Sequence, residues 1–130
     1  MKSPEMEKAT CVWLNGTLGF ISYWIESNRS QSGRGGTTVT AIPNIPTLDV
    51  TKLQANRSRA AVKIYDDLCK KRMLPANEAW HDPVRQELDR RLLTEVLGLD
   101  ESAVEQLAIL RNQWCREPTV TGTKNTGPDQ

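Results

Sequence analysis

Ten consecutive residues of this chain, Asn28-Arg29-Ser30-Gln31-Ser32-Gly33-Arg34-Gly35-Gly36-Thr37, combine two arginines and three glycines with amides and hydroxyls, and hold no acid. Those residue types suit the gripping of phosphate. Arginine offers a planar fork of donors that matches phosphate oxygens, and glycine lets the backbone come close to them. The Gly-x-x-x-x-Gly-Lys-Ser/Thr spacing of a nucleotide-binding P-loop is missing, so the segment argues for binding and not for phosphoryl chemistry. Arg29, Gln31, Ser32, Arg34 and Thr37 are its candidate contacts to DNA, with Arg and Gln also able to read base edges. Lys52, Arg57 and Arg59, in a stretch with no acid before Asp66, form a second candidate set suited to weaker phosphate contacts. The plain alternative for both sets is a solvated loop and the wet face of an amphipathic helix.

Other chemistries find little footing. Asp66, Asp67, Glu87, Asp89 and Glu95 have basic neighbours at helical spacing, which predicts surface ion pairs such as Glu87 with Arg91. His81 is the single histidine and belongs to no Ser-His-Asp arrangement. Cys11, Cys69 and Cys115 lack metal-ligand spacing and read as scattered buried thiols of a reducing, cytoplasmic compartment. Of the four tryptophans, Trp13, Trp24 and Trp114 fall in apolar stripes, which leaves Trp80 as the one stacking candidate. No catalytic residue, metal ligand or cofactor contact is expected in this chain. Nor is a signal sequence or a membrane-spanning segment.

The elements that must position these residues follow from patterning. At 130 residues the chain suits one domain, and its formal net charge of +1 means that any nucleic-acid surface must come from local segregation of charge. Apolar residues from Lys8 to about Ser27 recur at three- and four-residue steps, as in one buried helix whose Gly16 and Gly19 allow close packing. Thr37 to Ile42 is β-prone, and Pro43 and Pro46 impose an extended run to Val50. Three helices then follow. The first covers roughly Thr51 to Arg72, with Leu53, Ala60, Ala61, Ile64 and Leu68 on one stripe. The second starts at the Asp82 cap with Pro83 and stops at Gly98, and the third runs from about Glu101 to before Pro118. The expected fold is mainly α with a minor β or extended element, a buried N-terminal helix packing on a C-terminal three-helix region. A flexible 1–7, a single domain over 8–118 and a disordered tail over 119–130 complete that expectation.

The order of these pieces resembles a known family. Leu14-Asn15-Gly16-Thr17-Leu18 is similar to the Leu-Asn-Ser-x-Leu signature in the specificity regions of adenine-N6 DNA methyltransferases from restriction-modification and phage-defence systems. In that family a polar segment and a proline-bearing extended run follow, then helices. The matching pieces here are Gln31 to Gly35 with Thr37 to Thr40, then Ile42 to Asp49. Downstream they are Leu74-Pro75-Ala76-Asn77-Glu78, Asp82 to Arg91, Val96-Leu97-Gly98-Leu99 and Trp114-Cys115-Arg116-Glu117-Pro118. The resemblance spans roughly Thr10 to Lys124. The family's Asn/Asp-Pro-Pro-Tyr/Phe motif and glycine-rich S-adenosylmethionine loop are absent, and Gly16 stands where the family has Ser. The resemblance therefore implies a non-catalytic, DNA-contacting specificity or C-terminal module, as a fragment or a subunit. S-adenosylmethionine and chemistry would then belong to a separate methyltransferase catalytic chain. A helical protein-interaction module and a degenerate remnant are the alternatives.

Overall fold

The computed structural model describes residues 3–26, 28–29, 35–36 and 46–117, and within them the chain is mainly helical. Helix α1 covers Pro4–Asn15 and α2 Thr17–Glu26. Asn28–Arg29 (β1) pairs antiparallel with Gly35–Gly36 (β2), Asn28 opposite Gly36 and Arg29 opposite Gly35. A 3-10 turn at Val50–Lys52 leads into α3, Ala55–Leu68. A second 3-10 turn, Ala76–His81, precedes α4, Pro83–Arg91, which runs on into a π turn at Leu92–Val96. Helix α5 covers Glu101–Trp114.

Capping chemistry sets most of these boundaries. Helix α1 starts at Pro4 because the Ser3 hydroxyl accepts from the Met6 amide at 3.3 Å and proline suits the first helical turn. The ordered helix thus begins within the 1–7 stretch expected to be flexible. At α4, one Asp82 oxygen accepts from the Val84 and Arg85 amides, and the other from Leu74 at 2.8 Å. Asp100 caps α5 through the Ala103 amide at 3.1 Å. Gly98, at a φ of 70°, ends the helical run begun at Pro83, as its position predicts. The expected helix over 51–72 is shorter, and Lys70, Lys71 and Arg72 follow its end and do not form its last turn.

The main core joins Ala9 and Val12 of α1 to Ala61, Ile64 and Leu68 of α3 and to Leu88, Leu92 and Val96 of the α4 region. Each set recurs at three- and four-residue steps, so each helix turns one apolar stripe inward. Fully burying a side chain such as Ile64 contributes about 1.5–3 kcal/mol. A second cluster holds Ala79, Trp114 and Cys115 against Phe20, Ile21 and Trp24 of α2 and against Trp80. The Phe20 and Trp114 rings lie 5.9 Å apart. Trp80, the one stacking candidate, packs against this cluster.

The largest departure from the patterning lies at Gly16, where the single N-terminal helix expected over 8–27 is two. Gly16 is extended (φ −74°, ψ 166°), and its amide donates to the Val12 and Trp13 carbonyls to close α1. Two side chains of α4 then cap the ends that meet there. Arg85 donates to the Asn15 carbonyl at 3.1 Å, at the C-terminus of α1. Asp89 accepts from the Thr17 amide at 2.8 Å and from the Thr17 hydroxyl, at the N-terminus of α2. Charge and helix dipole agree at both ends.

Candidate nucleic-acid interface

The candidate residues on α3 and just before it divide by side. At 100° per residue, Asn56, Arg59 and Lys63 share one exposed face. Lys52, at the end of the preceding 3-10 turn, is 84% exposed at its side chain and stands 3.8 Å from Asp49. Arg57 points the other way. It is half-buried, and its Nη1 donates to the Val96 carbonyl at 3.3 Å. A Cβ on Gly98 would stand 2.8 Å from the Arg57 Nη2, so the guanidinium covers the end of the π turn and is not turned out with the stripe.

The acids on that face are already engaged. Asp66 pairs with Lys8 at 2.6 Å, and Asp67 pairs with Arg91 at 3.0 Å and with Lys63 at 3.4 Å. The Arg91 hydrogen bond, followed by that of Lys63, holds the Asp67 carboxyl below the usual carboxylate range against the opposing effect of desolvation. Hydrogen bonding to Asp66 raises the Lys8 ammonium above its ordinary value. Arg91 also holds Glu95 at 2.8 Å and stands 3.8 Å from Glu87, as the helical spacing predicts. Lys71 pairs with Glu87 at 3.6 Å and Arg90 with Glu101 at 3.0 Å. Arg59, Lys70 and Arg72 are exposed and make no ion pair among the described residues. On this face of α3 the charge left without an ion pair is cationic, whereas Glu5 and Glu7 on α1 and Glu105 on α5 are exposed acids that make none among the described residues.

Of the loop candidates, Arg29 lies in β1, with its backbone opposite Gly35. Gln31, Ser32, Arg34 and Thr37 lie outside the described residues, as do the β-prone stretch over 37–42 and the tail over 119–130.

Where α4 meets α1, α2 and α5 lies a buried ionic cluster that includes Asp89, an acid whose spacing predicts surface pairing. Asp89 is 1% exposed and accepts from Arg111 (5% exposed) at 2.7 Å, in addition to Thr17. Arg85 stands 3.9 Å from Asp82 and 4.6 Å over the Phe20 ring, and desolvation lowers its pKa. The Arg85 and Arg111 Nε atoms are enclosed without a hydrogen-bond partner. Surface pairing was the wrong expectation for Asp89. The signal that would have found it is its place beside Leu88 and three residues before Leu92, on the apolar side of α4. The cluster is a structural clamp: every charge in it is opposed by another, and its bonds to Asn15, Thr17, Val84 and Arg85 end on helix termini. It holds no nucleophile, and among the described residues no three His, Cys, Asp or Glu side chains gather as a metal site.

No helix among the described residues is long and apolar enough to cross a membrane. No model of a known family, no curated protein and no solved structure matches the chain.

Proposed function

We propose that this chain is a non-catalytic DNA-contacting module of the kind found at the specificity or C-terminal end of adenine-N6 DNA methyltransferases. The observation that carries the reading is the exposed face of α3. Lys52, Arg59 and Lys63 stand there with Asn56, while the neighbouring acids are held by Lys8 and Arg91. Arg59 makes no ion pair among the described residues, and Lys52 and Lys63 hold only exposed contacts of 3.8 Å to Asp49 and 3.4 Å to Asp67; such exposed cations are the groups that release counterions from a phosphate backbone. Arg29, Gln31, Ser32, Arg34 and Thr37 are assigned to backbone or base-edge contacts, and Lys52 and Arg59 to weaker phosphate contacts. The collinear motifs from Leu14 to Pro118 supply the family. S-adenosylmethionine and the catalytic step belong, in this reading, to a separate methyltransferase chain.

The test is charge reversal on the exposed face. The Arg59→Glu, Lys63→Glu variant is expected to bind duplex DNA far more weakly than the unsubstituted chain, with its thermal unfolding unchanged. Equal binding by the two proteins would remove α3 from the interface.

A protein-interaction role is the second reading, favoured by the exposure of Ile25 on α2 (61%) and Ile109 on α5 (59%). In that case Ile109→Lys would abolish partner capture and leave DNA binding untouched.

A further inference from the structure

Between α1, α3 and the start of α4 lies a cavity of about 330 Å³. Its apolar wall includes Val12, Ile64 and Leu88, and three sulfur-bearing residues also line it: Cys11, Cys69 and Met73. The whole chain holds three cysteines and three methionines, so half of its sulfur is gathered around one hollow. The helices bring the thiols there by a simple step. Lys8 and Asp66 form a 2.6 Å ion pair between α1 and α3, and one helical turn beyond each partner stand Cys11 and Cys69. Both cysteines are free thiols. Cys69 is exposed and Cys11 half-buried, so a solute reaches them from water. The Asn15 amide lies 3.4 Å from the Cys11 sulfur and restrains it.

We propose that Cys11 and Cys69, with Met73 as a third ligand, form a binding site for a soft monovalent metal ion, copper(I). The donor set decides the metal. Zinc asks for four nitrogen, sulfur or oxygen ligands, and no third His, Cys, Asp or Glu joins the two thiols among the described residues. Thiolate and thioether sulfur select copper(I), which accepts low coordination numbers. Binding displaces the proton of each thiol. The product is a bis-thiolate complex with one net negative charge, two protons pass to solvent, and no oxidation state changes. Lys71, whose ammonium stands 3.6 Å from Glu87, also lines the cavity and adds positive charge beside it. This site is independent of the exposed α3 face assigned to DNA.

The test is an anaerobic titration of the full chain against copper(I) held by bathocuproine disulfonate. The native chain is expected to withdraw one equivalent. Cys11→Ser and Cys69→Ser are each expected to abolish the withdrawal, and Met73→Leu to weaken it on the order of tenfold. A native chain that withdraws no copper, or a Cys11→Ser, Cys69→Ser variant that withdraws as much as native, overturns the proposal. Should the serine variants fail to fold by circular dichroism, the native chain is challenged with a trivalent phenylarsenical, which bridges paired thiols. Protection of Cys11 and Cys69 together from alkylation supports the site. Free alkylation of both overturns it.

Discussion

Arg85 and Asp89, one turn apart on α4, cap the two helix ends that meet at Gly16. The arginine takes the last carbonyl of α1 and the aspartate takes the first amide of α2. A single helix thereby fixes the angle between two others, and it does so with charges matched to their dipoles. Arg111 and Asp82 supply the counter-charges.

Removing the aspartate should be costly. Asp89→Ala leaves Arg111 buried without its partner and the Thr17 amide without an acceptor, so a loss of about 3–5 kcal/mol is expected in urea denaturation. Because Arg111→Ala breaks the same contact, the double variant should lose less than the sum of the two single losses.

The close approach at the bend gives a second expectation. A Cβ on Gly19 would stand 2.2 Å from the Trp13 carbonyl oxygen, whereas one on Gly16 would stand 3.2 Å from the Leu92 side chain, a far smaller overlap. Gly19→Ala should therefore destabilise the fold by about 1–3 kcal/mol, and Gly16→Ala by clearly less. Melting temperatures of the two variants decide the order.

Much of this arrangement was legible in the sequence, and the part that was not has a common cause. The inward stripes of α3, the Asp82-Pro83 start and the Gly98 stop follow from local rules, because periodicity and caps act within a few residues. The break at Gly16 does not. It depends on Asp89 and Arg85, some seventy residues away in the chain, and no local pattern reports a partner at that separation. Asp89 looked like surface lacing because its neighbours Arg90 and Arg91 are basic, although its register on α4 puts it with Leu88 and Leu92. Arg57 and Arg59 looked equivalent for the same reason: composition records two cations, and only the helical phase separates the inward one from the outward one.

That phase difference is itself testable. Arg57→Ala removes a charged hydrogen bond to the Val96 carbonyl and should cost about 1.5–3 kcal/mol of stability. Arg59→Ala should leave stability within about 0.5 kcal/mol of the native chain and weaken DNA binding instead. Paired unfolding and binding curves on the two variants separate the roles.

Acid should loosen the α3–α4 contact. The Asp67 carboxyl is held below its ordinary range, chiefly by the Arg91 hydrogen bond. Its folded pKa is depressed, so its contribution is present above the unfolded value near about 4 and is lost as pH falls through the folded value. Asp67→Asn should accordingly show a smaller drop in melting temperature between neutral pH and pH of about 3 than the native chain does.

The most direct test of the DNA-contacting role is the salt dependence of duplex binding by the full chain. Log affinity is expected to fall linearly with log salt, with a slope of about −0.9 for each phosphate neutralised. Arg59→Ala should make that slope shallower by about one such step. A slope near zero, or a slope that Arg59→Ala leaves unchanged, would contradict the assignment of the α3 face to DNA.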